Sequence, residues 1–148
     1  MDIDSMAVEL SQMHIDNAKL LTQIANALSM SGEMGVLLWL SQQKSRTYAT
    51  DIIKHFGLTP GRVANILKKL EQRQLIVRHE DTVDQRKFCI LLTKKGVMYA
   101  NELYSQMNDG HARILAALGQ EDASEGLRIL KRVITLINNG VKLHTADS

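Results

Sequence analysis

Between Thr59 and Glu71, the residues Arg62, Asn65, Lys68 and Lys69 recur at spacings of three and four. On a helix that spacing puts them on one side. Their chemistry is donation to a polyanion: Arg and Lys to phosphate oxygens, Arg and Asn to the edges of bases. Asp84, Arg86 and Lys87 form a second group, at the end of a polar stretch that begins at His79. An Arg at a hairpin tip is a compact probe for a narrow, electronegative groove, and a nearby carboxylate can fix its direction. The simpler alternative for Asp84 and Arg86 is a surface ion pair worth under about 1 kcal/mol. For each lysine taken alone it is a solvated helix face.

The rest of the chain's charge supports the first reading. Between Lys44 and Lys95 there are twelve Lys and Arg against five Asp and Glu, whereas the flanks carry six against eleven. A basic centre with acidic flanks attracts a polyanion to one surface and keeps it off the others. Catalytic chemistry has no footing. No Ser/His/Asp or Cys/His constellation, glycine-rich phosphate loop or pair of catalytic carboxylates stands out, so the chain does not read as an enzyme. The five histidines are scattered without HxxxH or Cys/His spacing, so no metal site and no cofactor is expected. Cys89 is the single cysteine, which excludes an internal disulfide and fits a reducing, cytoplasmic setting. It lies among apolar residues and reads as a small buried hydrophobe. The N-terminus has no signal-peptide pattern, and the longest apolar stretch, Val36 to Leu40, is too short to span a bilayer. No membrane partner is expected.

The elements that must position these residues are mainly helical. There is one proline, and aromatic residues make up 4% of the chain, so Leu, Ile, Val, Ala and Met must fill the core. Apolar residues at Met6, Leu10, Met13, Leu20 or Leu21, Ile24 and Leu28 predict one helix over about 4–29, broken at Ser29, Ser31 and Gly32. A short helix, apolar nearly all round and hence buried, is predicted over 33–42. Thr50 to Phe56 forms the next, closed by Gly57. Thr59 as N-cap and Pro60 at the first helical position open another at once. Val63, Leu67 and Leu70 face inward on it. Leu75–Arg78 and Lys87–Leu92 read as a β-hairpin, with Phe88, Ile90 and Leu92 on one side. Two further helices follow, over about 93–118 and 124–139.

Two helices joined by a three-residue corner (Gly57, Leu58, Thr59) and followed by a hairpin are the sequence form of a winged helix-turn-helix. The second helix is long enough to lie in a major groove. Its small residues Gly61 and Ala64 permit close approach, and its first N–H groups can meet a phosphate. The stretch from Thr59 to Glu71, with Leu75-Ile76-Val77-Arg78 after it, resembles the recognition helix and first wing strand of MarR-type regulators. Asp84-Gln85-Arg86, an apolar strand and then Leu92-Thr93-Lys94-Lys95-Gly96 resemble that family's wing signature. Gln85 departs from it, since the family more often has a basic residue there. The resemblance covers about 47–96 and is architectural outside it.

It implies a mainly α fold with a small β-hairpin wing: a dimerisation helix over 1–32, a winged helix-turn-helix over 33–93 and C-terminal dimerisation helices over 94–148. It also implies that Arg86 reaches toward the minor groove while Asp84 pairs with an arginine. The expected function is a bacterial, homodimeric DNA-binding regulator, a repressor of a pseudo-palindromic site in double-stranded DNA. Thr59, Pro60, Gly61, Arg62 and Asn65 are candidates for base or phosphate contact at the helix start. Arg46, Lys68, Lys69, Arg73 and Lys87 are candidates for phosphate neutralisation. Leu10, Met13, Leu115, Leu127, Leu130, Ile134 and Ile137 are the expected dimer interface. His14, Met34, Trp39 and His111 are candidates for contact with a small-molecule effector, and each also has a reading as an ordinary core or interface residue. The competing function is a winged-helix protein–protein adaptor, which would not need the basic helix face or the Arg86 tip.

Overall fold

The computed structural model describes residues 2–27 and 30–142, so Leu28, Ser29 and His144 lie outside the described residues. The elements run α1 (Ile3–Asp16), α2 (Ala18–Ala27), α3 (Glu33–Ser41), α4 (Ala49–Phe56), α5 (Pro60–Gln72), β1 (Ile76–Glu80), β2 (Phe88–Leu92), α6 (Lys94–Leu118) and α7 (Gln120–Asn138). This is the expected mainly α fold with one antiparallel hairpin. The chain forms two compact units, the first running to Leu103 and the second starting at Tyr104.

The core of the first unit follows from the apolar spacing of three elements. Val36, Leu37 and Leu40 of α3 meet Ile52 of α4 and Val63, Ile66, Leu67 and Leu70 of α5. Leu75, Ile76, Ile90 and Ala100 close the cluster. The short helix α3 buries Val36, Leu37, Leu38 and Leu40, as its nearly continuous apolar composition requires. Gly57 ends α4 in the left-handed conformation (φ 62°, ψ 30°), where a Cβ would be strained. The chain turns there and restarts at Thr59, whose hydroxyl accepts the Arg62 N–H at 3.3 Å.

The end of α5 is a Schellman cap: Leu75 N–H donates to the Leu70 carbonyl at 3.0 Å and Gln74 N–H to the Glu71 carbonyl at 2.8 Å. The left-handed position is held by exposed Gln74 (φ 59°). Glycine would hold it without a Cβ penalty. Gln74→Gly is therefore expected to stabilise the protein by about 0.5–1 kcal/mol, read as a higher urea midpoint at unchanged slope.

One expectation is corrected. The segment expected as one helix over 4–29 is two helices, divided at Asn17 (φ −112°, ψ 21°). The Asn17 side-chain amide donates to the Met13 carbonyl at 2.9 Å, in local competition with the helix ladder. In the hairpin, Ile90 is buried and Leu92 partly so, but Phe88 is 50% exposed. It pairs with Glu80 at the outer end of the ladder, beyond the core that Ile76 and Ile90 reach. The middle of β2 is also held from its other edge, because Ile90 N–H donates to the Thr47 carbonyl at 2.8 Å.

In the second unit, α7 follows α6 after Gly119, whose φ of 84° needs a glycine. Among the described residues of that unit only Ala123 is buried. No described helix is long and apolar enough to cross a membrane.

Candidate nucleic-acid interface

The outward side of α5 carries Gly61, Arg62, Ala64, Asn65, Lys68 and Lys69, all exposed, while Val63, Ile66, Leu67 and Leu70 face the core. The side chains of Arg62, Asn65 and Lys68 have no ion pair or hydrogen bond among the described residues. They are available to an external partner. Lys69 and Arg73 are not equally so: Lys69 Nζ stands 3.1 Å from Glu33 Oε1, and Arg73 Nη1 3.8 Å from Glu33 Oε2. Arg73 also lies 5.0 Å over the Tyr99 ring, and its carbonyl accepts from Lys95 Nζ at 3.0 Å. These two cations tie the recognition helix to α3 and to the start of α6. They would reach a phosphate only by leaving Glu33.

The wing loop is organised by Asp81, which is 5% exposed. Its Oδ1 accepts the Val83 N–H at 2.8 Å and the Asp84 N–H at 3.4 Å. Its Oδ2 accepts the Tyr48 hydroxyl. Arg46 Nη1 lies 3.6 Å from the same carboxylate and 3.1 Å from Thr82 Oγ1. The Tyr48 hydrogen bond and then the Val83 N–H hold the Asp81 carboxyl below its usual pKa, so it stays charged. The same bond pushes the Tyr48 phenol up. The carboxylate paired with an arginine side chain is thus Asp81, where the resemblance implied Asp84. Asp84 instead accepts the Arg86 backbone N–H at 3.1 Å, bending the tip. The Arg86 side chain is exposed and has no partner among the described residues. Lys87 is exposed at the edge of a cavity of about 220 Å³ that Tyr48, Arg78, Phe88 and Ile90 also line.

A family model described as "MarR family" matches residues 31–88, the span holding α3, the helix-turn-helix and the wing loop. The transcriptional regulator MgrA of Staphylococcus aureus is 34% identical over 98 residues, covering 66% of this chain. The chain carries a winged helix of the MarR type over residues 31–88. It spans 63% of the length of that S. aureus relative. A mutant of S. aureus MepR superposes with a TM-score of 0.64 at 22% identity, covering 93% of this chain and 99% of that one. MepR bound to ethidium bromide gives a TM-score of 0.52 at 22% identity, covering 93% and 97%. At these identities the solved structures speak for the fold.

Of the candidate effector residues, His14 lies on α1, Met34 and Trp39 on α3, and His111 in the second unit. Trp39 is partly buried and stacks on His55 with ring centroids 4.8 Å apart, and its ring meets that of Phe56 at 76° with centroids 5.9 Å apart. His14 is exposed on α1, its Nδ1 2.8 Å from the Leu10 carbonyl. Met34 is half-buried at the start of α3, and His111 is exposed in the second unit. No hydrogen bond or ring contact joins His14, Met34 and Trp39 to one another. Among the described residues no three His, Cys, Asp or Glu side chains come together as a metal site. Cys89 is buried.

The sequence reading missed Glu33, Tyr48 and Asp81. For Asp81 a signal was present: an Asp two and three residues before loop N–H groups at the end of a strand is an Asx-turn pattern. For Glu33 and Tyr48 there was none, because their partners are distant in sequence.

Proposed function

We propose that this chain is a sequence-specific DNA-binding transcription regulator, acting in the cytoplasm as a homodimer on a pseudo-palindromic duplex. One observation carries the reading. The exposed side of α5 presents Arg62, Asn65 and Lys68 with no partner among the described residues, while the neighbouring cations Lys69, Arg73 and Arg46 are all internally paired. Free polar groups on one side of a recognition helix, beside a wing with an unpaired Arg86, match the two grooves of a duplex. Arg62 and Asn65 contact base edges. Thr59, Pro60 and Gly61 bring the helix start close to a phosphate, and Lys68 and Lys87 neutralise phosphates.

Repression relieved by a small molecule is the mode of action we assign. The support is the family and the ethidium-bound neighbour. Fluorescence anisotropy on DNA from the gene's own upstream region, beside a scrambled duplex and over a salt series, tests the function. Preference for the native duplex with a steep fall in affinity with salt is the expected result. Binding to neither would favour the protein–protein adaptor.

The homodimer is proposed from apolar surface. Leu127, Leu130, Ile134 and Ile137 form one stripe on α7 and are 44%, 55%, 50% and 38% exposed. On α1, Leu10 and Met13 are each 52% exposed, and Leu115 of α6 is half-buried. Patches of this kind call for a partner surface. Leu130→Asp would put a carboxylate into that partner surface while leaving the protomer's own packing alone. Sedimentation is expected to show a folded monomer, and an intact dimer would move the interface elsewhere.

A further inference from the structure

The loop from Asp81 to Lys87 is tied to the residues that lead into α4 through Asp81 and Thr82, and the Asp81 tie reaches the wing tip through a continuous run of hydrogen bonds. The two oxygens of Asp81 divide the work. Oδ2 receives the hydroxyl of Tyr48, the residue that precedes α4, while Oδ1 receives the N–H groups of Val83 and Asp84 inside the loop. The loop is then closed on itself: Asp81 N–H donates to the Lys87 carbonyl at 2.8 Å, and Lys87 N–H to the Asp84 carbonyl at 2.9 Å. Asp84 in turn holds the backbone of Arg86. Arg46 clasps the same loop from outside, through Asp81 and Thr82.

We propose that Tyr48 and Asp81 are positioning residues that set where Arg86 stands relative to the recognition helix. This rests on the reading of Arg86 as a DNA contact. The strands do not depend on the tie. Their ladder, the Ile90–Thr47 hydrogen bond and the buried Ile76 and Ile90 hold the hairpin without it. What the Tyr48 hydroxyl adds is a fixed loop. A loop that is ordered before binding spares DNA the entropic cost of ordering it. Spanning 33 positions in sequence, the Tyr48–Asp81 bond also connects the element that leads into the recognition helix to the element that carries the wing.

A double-mutant cycle on the full chain tests this, with affinity for the upstream duplex as the readout and circular dichroism as a check on folding. Arg86→Ala is expected to weaken binding roughly 10-fold or more. Tyr48→Phe, which keeps the ring and removes the hydroxyl, is expected to weaken it roughly 3- to 10-fold. The double variant is expected to be hardly weaker than Arg86→Ala alone, because a positioning residue has nothing left to position. Asp81→Asn, which cannot serve both the hydroxyl and the loop as a carboxylate does, is expected to behave as Tyr48→Phe. A purely structural role would give the same fold-loss with or without Arg86. If Arg86→Ala weakens binding but Tyr48→Phe does not, or the two losses multiply, this inference is overturned and the wing contact stands. If Arg86→Ala is itself silent, the wing contact fails and takes the inference with it.

Discussion

Gly96→Ala is expected to lower the melting temperature by on the order of 10 °C. A Cβ at this position would sit 1.9 Å from the Leu75 carbonyl oxygen and 2.9 Å from its carbon. Both atoms are backbone, so no side chain can swing aside. That carbonyl already accepts the Thr93 N–H at 3.0 Å, the Thr93 hydroxyl donates to the Gln74 carbonyl at 2.6 Å, and the Gly96 N–H donates to the Thr93 hydroxyl at 2.9 Å. The first turn of α6 is therefore clamped onto the cap of the recognition helix. A methyl group must pry the two apart, at about 1–3 kcal/mol for the overlap and about 1 kcal/mol for each hydrogen bond lost. Gly126→Ala is the control. Its Cβ meets nothing within 4 Å on an exposed turn of α7, so helix propensity alone favours alanine by about 1 kcal/mol. Thermal melts of the two variants should move in opposite directions. Equal shifts would mean that the close approach at Leu75 is relieved at no cost.

The second large effect is on DNA. Asn65→Ala is expected to weaken binding to the native duplex roughly 10- to 100-fold and to leave binding to a scrambled duplex nearly unchanged. Asn65 is exposed near the middle of the outward side of α5, and its amide can both donate and accept. Lys68→Ala, one turn further along, is expected to act differently. It should weaken both duplexes alike and reduce the magnitude of the salt dependence by about one. Neither side chain has a partner among the described residues, so both variants should melt with the parent. A native-duplex affinity unchanged by Asn65→Ala would remove this residue from base readout. A loss at Lys68 confined to the native duplex would instead make that lysine a reader of sequence.

Much of this protein was legible before any coordinates, and for a local reason. Gly57, Thr59 and Pro60 each act within a few residues, through a left-handed φ, a side-chain cap and a fixed φ. They mark the corner of the helix-turn-helix unaided. The apolar spacing of Val63, Leu67 and Leu70 likewise showed which side of α5 must be buried, and therefore which side is left to present Arg62, Asn65 and Lys68. The pattern from Leu92 to Gly96 marked the strand-to-helix junction, although only the structure shows that its glycine serves the close approach to Leu75.

What composition and spacing could not decide was which charges are spoken for. Lys68 and Lys69 are adjacent and look equivalent, yet one is free and the other faces Glu33 on α3. Asp81 and Asp84 look interchangeable as partners for an arginine, yet only the first is buried against Arg46 and Tyr48. The reason is range. Helix periods, caps and turns are settled by neighbours in the chain, whereas the ion pairs of Glu33 and Asp81 are settled by distances of a few ångströms between residues that lie 35 to 40 positions apart. Sequence alone determined that this is a winged helix with one polar, basic face. Tertiary packing decided which residues of that face remain available, because it spends Lys69, Arg73 and Arg46 on holding the frame and leaves Arg62, Asn65, Lys68 and Arg86 without partners among the described residues.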